Sequence, residues 1–322
     1  MSPSEPETDV HTTLRFMRDN QDVASFTGRY DLDLFRELNA AYASRPTVKE
    51  PRALDTEERR RYAKSRAELL ERRVGVRNRK VLEIGCGAGD LSRELAEGYG
   101  ARVVGVDIAE YPAWKGMGSS RLRLLQGDLA DPRFAERLAA EGPFDRIVSL
   151  VVWEHVQHPY ALLAAARRLL SERGRFYLRA NLYRSSVASH LYREVYFPWA
   201  HLLFEDEVFR RYYESIGLPP QAPAWLNKLC YAHYLLCFRE IGFDMTREWL
   251  TRRPLDLEFY ERFAERLSCY PVFDLTLEFF DVILMRAGRG PLGLTRTAGR
   301  TLVKGLVERS AAVRFRRRRK PA

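Results

Sequence analysis

Between Lys80 and Ala180 short apolar runs alternate with stretches of helical periodicity, and this order constrains the chain more than any other feature. Strands are expected over 80–84, 102–106, 122–125, 145–152 and 174–180. Helices are expected over 88–97, 132–140 and 159–171, the last two opened by Pro132 and Pro159. Parallel strands need long crossovers, and a helix is the usual one. The order therefore predicts an α/β fold, a doubly wound parallel sheet with helices on both faces. A helix over 229–241, a strand over 244–250, a helix over 257–267 and a strand over 275–285 continue it.

Three segments lie outside this rhythm. Residues 1–75 read as an N-terminal extension, disordered over about the first twelve residues and helical later, that caps the 76–286 domain. Leu32, Phe35, Leu38 and Tyr42 there sit at helical spacing. Residues 181–227 are aromatic-rich and too long for a plain connection, so they read as a lid inserted after the fifth strand. Residues 287–322 form a tail with eleven Lys/Arg and one acid. That tail holds the whole formal charge of +10, and the rest of the chain is neutral. A neutral body argues against a nucleic-acid face on the main domain. The tail, with Leu302, Val303, Leu306 and Val307 on one helical face before RFRRRRK, suits peripheral contact with an acidic membrane or a solvated terminus equally.

No apolar run is long enough to span a bilayer, and MSPSEPETDV lacks the order of a signal peptide, so a cytoplasmic location is expected. The four cysteines, Cys86, Cys230, Cys237 and Cys269, show neither CxxC nor zinc spacing and read as reduced thiols. Arginine heavily outnumbers lysine, which suggests a bacterial gene of high GC content.

The chemistry concentrates in VLEIGCGAGD, residues 81–90. Gly85, Gly87 and Gly89 follow the first strand, where a sharp turn and close ligand approach both favour glycine. Asp107 ends the second strand, 20 residues after Gly87, and a carboxylate there can accept both hydroxyls of a ribose. A nicotinamide dinucleotide fits these two features as well. Three others favour a different ligand. Position 90 is Asp where the dinucleotide pattern wants glycine, and an acid there repels a pyrophosphate. Glu83 lies inside the strand, and a buried carboxylate is costly unless a cation such as an ammonium meets it. Asp128, in LLQGDLAD after the third strand, can accept from an adenine amine or cap the next helix. The implied ligand carries a ribose, an adenine and an ammonium, and no phosphate.

The stretches VLEIGCGAGDLS, VVGVDIAE, LLQGDLAD and FDRIVSLVVWEHVQHP, in this order, resemble the successive motifs of class I S-adenosylmethionine-dependent methyltransferases. The resemblance is strong over about 80–180 and weaker to Met285, through FREIGFD and LEFFDVILMR. It implies a Rossmann-like, mostly parallel seven-stranded sheet with a terminal antiparallel strand, and S-adenosyl-L-methionine as cofactor. It places Gly85, Cys86 and Gly87 at the methionine part, with Glu83 near its ammonium, and Leu150 beside this group. Asp107 would hold the ribose, and Ile108, Asp128 and Leu129 would meet the adenine.

On the acceptor side, the resemblance sets the loop with His155 beside the transferable methyl. A histidine there suits a general base for O-methylation, or it packs against the lid. His190 and His201, in the lid, are second candidates. Relatives with the same EHV loop bind a divalent metal through an acid three positions before the glutamate. Here that position is Val151, so no metal is expected. Tyr183, Tyr192, Tyr196, Phe197 and Trp199 could line an acceptor pocket or pack the lid onto the body. The expected reaction is O-methylation of a small-molecule or sugar hydroxyl, for instance in a natural product, glycoside or envelope polysaccharide precursor. Methylation of RNA or protein, and cofactor-fold binding without catalysis, remain the alternatives. Oligomeric state is not legible.

Overall fold

The computed structural model describes residues 30–49 and 55–288. The expectations for the first residues and for the basic tail from residue 289 onward lie outside them. The elements run α1 (Leu32–Tyr42), α2 (Thr56–Val74), β1 (Lys80–Ile84), α3 (Asp90–Tyr99), β2 (Arg102–Asp107), β3 (Leu122–Gln126) and α4 (Pro132–Ala139). They continue with β4 (Phe144–Leu150), α5 (Pro159–Leu169), β5 (Leu170–Asn181), α6 (Ala200–Leu203), α7 (Asp206–Ser215) and α8 (Tyr231–Ile241). The last are β6 (Phe243–Arg252), α9 (Leu257–Arg262), α10 (Ala264–Leu267), α11 (Val272–Thr276) and β7 (Leu277–Arg286).

The seven strands form one sheet in the order β3-β2-β1-β4-β5-β7-β6. β1 to β5 pair in parallel, and β7 runs antiparallel to both β5 and β6. This is the Rossmann-like architecture expected. The order reverses at β1, which places a crevice beyond the carboxyl ends of β1, β2 and β4.

Local chemistry accounts for the element ends. Asp55 and Glu58 make a reciprocal capping box at the start of α2, and Gly75 ends that helix at φ +68°. Asp131 accepts from the Arg133 amide, with Pro132 in the first turn of α4. β5 starts at Leu170, directly after α5, rather than at Gly174. Leu170 already pairs with Phe144, before the register shifts between Phe144 and Arg146.

Apolar cores cover both faces of the sheet. On one side Leu82, Ile84, Phe144, Ile147, Phe176 and Leu178 pack against α4, α5 and α8. On the other, Val81, Val103, Val148 and Tyr177 meet α2 and α3 through Leu70, Val74, Leu91 and Leu95. Arg73 of α2 locks this side: its guanidinium lies 3.8 Å from the Trp249 ring and 3.3 Å from the buried Asp281 carboxylate.

A third core lies apart from the sheet. Phe35 of α1 makes edge-on contacts with Phe197, Phe204 and Phe209, all at centroid distances between 5.0 and 5.1 Å. Trp199, Tyr213, Phe259 and Phe263 complete it. The described parts of the N-terminal extension therefore do not form one unit. α1 packs on the lid segment, whereas α2 belongs to the helical layer of the sheet. Phe197 and Trp199, read from sequence as acceptor-pocket or packing residues, take the packing role and are fully buried in this core.

Candidate active site

The glycine turn after β1 bends by left-handed residues, Gly85 at φ +75° and Gly87 at φ +50°. A Cβ on Gly85 would sit 2.2 Å from Cγ2 of Val152, so only glycine lets this turn abut the loop after β4. A Cβ on Gly87 would meet nothing within 4 Å, which leaves the backbone there open to a ligand. The Gly85 and Cys86 amides donate to the Val106 carbonyl, at 2.8 and 3.1 Å, tying the turn to β2. Asp107, at the end of β2, accepts from the Gly87 amide at 2.8 Å on one oxygen and from the Ala109 amide at 3.1 Å on the other. Each oxygen keeps a lone pair for a further donor.

Glu83 is buried and, among the described residues, meets no guanidinium. Ser92 Oγ, from α3, donates to it at 2.5 Å. Burial pushes its carboxyl up to about 8; the Ser92 bond opposes this, and the Asp107 and Asp90 charges add to it. At neutral pH an unliganded Glu83 is therefore mostly protonated, and an arriving cation favours its ionised form. Cys86 is buried beside it, and burial first, then the charge of Glu83, raises its thiol.

The residues assigned to the adenine by resemblance follow β2 and β3. Ile108 is 75% exposed just past Asp107, an apolar side chain left uncovered. Asp128 is exposed and accepts from the Ala130 amide at 2.8 Å. The capping role that competed for it belongs to Asp131. Leu129 is buried in the core and can offer a ligand mainly its backbone. Leu150 is half-buried at the end of β4. Sequence reasoning missed Tyr111 and Trp114. Trp114 Nε1 donates to the Gly87 carbonyl at 2.8 Å, and the Tyr111 ring lies 5.8 Å from that of Trp114. The available signal was YPAW, two aromatics just past Asp107.

Beyond β4 the chain enters a short 3-10 turn, Trp153–His155, through Val151 at φ +58°. His155 is exposed, and its ring lies 5.4 Å from that of His190, which the lid delivers at φ +58°. His155 Nδ1 is 3.3 Å from the Trp225 carbonyl. Burial, then the neighbouring His155, lowers His190 to about 4. His201 sits deeper, with Nε2 donating to the Tyr183 carbonyl at 2.6 Å, and burial lowers it to about 4. The fold thus brings His155 and His190 together, and engages His201 in holding the lid. His158 occupies the position before α5 without a side-chain capping bond.

Beneath the two rings lies Glu154, 1% exposed, with no donor in hydrogen-bonding geometry to either carboxylate oxygen. Burial pushes it up to about 7; nearby amides of Glu154 and Asn181 and the Arg179 charge oppose that rise. One ligand atom each from Glu154, His155 and His190 lies within 4.8 Å of the others. The expectation of no metal rested on Val151. The lid supplies instead a nitrogen from His190, 35 residues beyond His155 in the chain, a pairing that sequence order hid.

A sheet of this order, with an acid at the end of β2 and a glycine turn closed against the loop after β4, has the Rossmann-like fold of methyltransferase domains. The chain belongs to the methyltransferase-domain family, which it matches over residues 54–216. It is 37% identical over 118 residues, 35% of its own length and 49% of the relative's, to a ubiquinone biosynthesis O-methyltransferase of Pseudomonas aeruginosa (strain UCBPP-PA14). It is 34% identical over 118 residues to the protein of the same description from Dechloromonas aromatica (strain RCB), again covering 35% of this chain and 49% of that one. The chain spans about half the length of the curated relatives it matches. Among solved structures it is similar to magnesium protoporphyrin IX methyltransferase from Synechocystis PCC 6803 with bound SAH. That likeness has 15% identity and a TM-score of 0.41, over 79% of this chain and 98% of the other.

Proposed function

We propose that this protein transfers a methyl group from S-adenosylmethionine to a hydroxyl of a small-molecule or sugar acceptor, with His155 as general base. The observation that carries this reading is the contact of Gly85 with Val152, which sets the cofactor turn against the loop that presents His155. The matched relatives are named as O-methyltransferases, which favours an oxygen nucleophile. In this reading Glu83 meets the cofactor ammonium, and Gly85, Cys86, Gly87 and Leu150 flank its methionine arm. Asp107 takes the ribose hydroxyls. Ile108, Asp128 and the backbone at Leu129 bound the adenine.

Methyl transfer is one displacement. The acceptor oxygen bonds the methyl carbon as the carbon–sulfur bond breaks, and the oxygen's proton goes to a base. If His155 Nδ1–H donates to the Trp225 carbonyl, Nε2 is left bare to take that proton. His190 is neutral at pH 7 and adds no positive charge to oppose it. His155→Ala should lower kcat roughly 10²- to 10⁴-fold, while the affinity for S-adenosylhomocysteine, measured by calorimetry, stays within about twofold. Unchanged turnover with intact binding would remove His155 from the chemistry.

One observation favours a second reading. The unpartnered, buried Glu154 carboxylate under two imidazoles is a donor set that fits a divalent cation. When bound, the cation would polarise the acceptor oxygen as a Lewis acid. Activity that survives exhaustive chelation, and is not raised by adding back Mg²⁺, Mn²⁺ or Zn²⁺, would leave the base mechanism alone.

A further inference from the structure

The opposite edge of the sheet carries a cluster of cations that methyl transfer does not use. Arg146 on β4 lies in register beside Arg175 on β5, at the amino ends of the strands. Arg79 precedes β1, α2 brings Arg72 and Arg73 to the same place, and the turn after α2 brings Arg77. These six line a cavity of about 330 Å³ with a single acid, Glu71. Like charges side by side on adjacent strands repel, and at Arg146 the charges of Asp145 and Glu71 offset those of Arg175 and Arg79 only in part. Glu71 Oε2 accepts from the Val76 and Arg77 amides at 2.7 and 3.0 Å. Asp145 Oδ2 accepts from the Lys80 amide at 3.0 Å. Among the described residues, Arg73 alone of the six forms an ion pair, with Asp281.

Arg146 makes the arrangement more than a solvated patch. It is only 9% exposed. Its Nε donates to the carbonyls of Val74 and Gly75, at 2.6 and 2.9 Å, and its Nη1 to that of Asp145 at 2.7 Å. These bonds hold the guanidinium rigidly between Arg79 and Arg175, whose charges both act on it. A second cavity, of about 670 Å³, shares Arg72, Arg73 and Arg175 and adds Arg247 and one acid, Asp244. Trp249, Met245, Ile283 and Met285 supply its apolar lining.

From this geometry we infer that the edge of the sheet remote from the cofactor turn is a binding site for a phosphate-bearing anion, whose apolar or aromatic body lies in the adjoining cavity. Planar guanidiniums suit phosphate oxygens through paired hydrogen bonds, and several of them converge on one space. A soluble phosphorylated molecule and a phospholipid headgroup share this chemistry. The inference does not depend on which acceptor the enzyme methylates.

The test titrates the full chain with inorganic pyrophosphate by calorimetry, and sediments it with vesicles of phosphatidylglycerol or of phosphatidylcholine alone. The wild type should bind pyrophosphate saturably. The Arg79→Gln/Arg175→Gln variant should bind it roughly tenfold or more weakly. S-adenosylhomocysteine affinity should stay unchanged in that variant, which also reports the fold. Should the double variant misfold, the two single variants, each of an exposed side chain, carry the same comparison. Sedimentation with phosphatidylglycerol that the variant loses assigns the site to a lipid headgroup. Pyrophosphate binding without sedimentation assigns it to a soluble ligand. Pyrophosphate binding of equal strength in wild type and variant overturns the inference, as does a response to single-stranded RNA alone.

Discussion

At Glu83 the proposed cofactor contact meets protons and stability. Its carboxyl stands at about 8 in the folded protein against 4.5 as its ordinary value. A group raised on folding contributes stability that is complete below the lower value and lost as pH rises through the upper one. Above the range of the buried histidines, between pH 6.5 and about 8, the unliganded protein should therefore lose stability as pH rises, and Glu83→Gln should flatten that slope in chemical denaturation. The proposed ammonium contact reverses the demand, because the ionised carboxylate is then favoured. Binding of S-adenosylhomocysteine near pH 7 should release protons in the wild type, seen as a dependence of calorimetric heat on buffer ionisation. Glu83→Gln should abolish the release and weaken binding by roughly tenfold or more. Equal affinity in the variant would break the link between this acid and the cofactor.

Among the elements, α1 is the informative one. It is amphipathic, and the sequence shows its apolar stripe of Leu32, Phe35, Leu38 and Tyr42 without showing what the stripe faces. The structure sets it against the lid, where Phe35 touches Phe197, Phe204 and Phe209. The Asn39 side chain adds polar ties, donating to the Glu194 carbonyl at 2.8 Å and accepting from the Tyr196 amide at 2.7 Å. Residues 191–213 therefore form a small packed body together with α1, α9, α10 and α11. Phe35→Ala should destabilise this body by about 3–5 kcal/mol. Hydrogen exchange should show α1, α6 and α7 opening well before β1 and β4. Uniform loss of protection across the sheet would instead make the lid and the body one cooperative unit.

Across the whole molecule, the lid and the sheet meet around histidines. His190 and His201 are both held near 4 by burial, against an ordinary value of 6.5. A base lowered on folding contributes stability that is complete above the unfolded value and lost as pH falls through the folded one. The histidine contribution to melting temperature should fall between pH 6.5 and about 4, against the opposite Glu83 contribution above pH 4.5, and the difference between wild type and His190→Gln should grow over that range. The same scale separates two chemistries along the strands. The carboxyl ends of β1, β2 and β4 carry the cofactor turn and the paired imidazoles. The amino ends of β4 and β5, with the residue before β1, carry the arginine cluster. Among the described residues no helix is long and apolar enough to cross a membrane.

The order of strands and helices, the glycine turn and the acids at strand ends were legible in the sequence. Each depends on a period, a left-handed backbone angle or a charge within one short segment, and those are local properties. The count of seven strands, mostly parallel with a terminal antiparallel one, came through resemblance of motifs, and the sheet bears it out. Contacts between segments distant in the chain were not legible. Nothing near Val151 indicates that His190 arrives above Glu154, and nothing near Arg146 indicates that Arg79 and Arg175 join it. The aromatics of the lid could line a pocket or a core until α1 was seen to cover them. Periodicity says which face of an element is buried, whereas only the closed chain decides which partner buries it, because packing partners are chosen by shape across the whole fold.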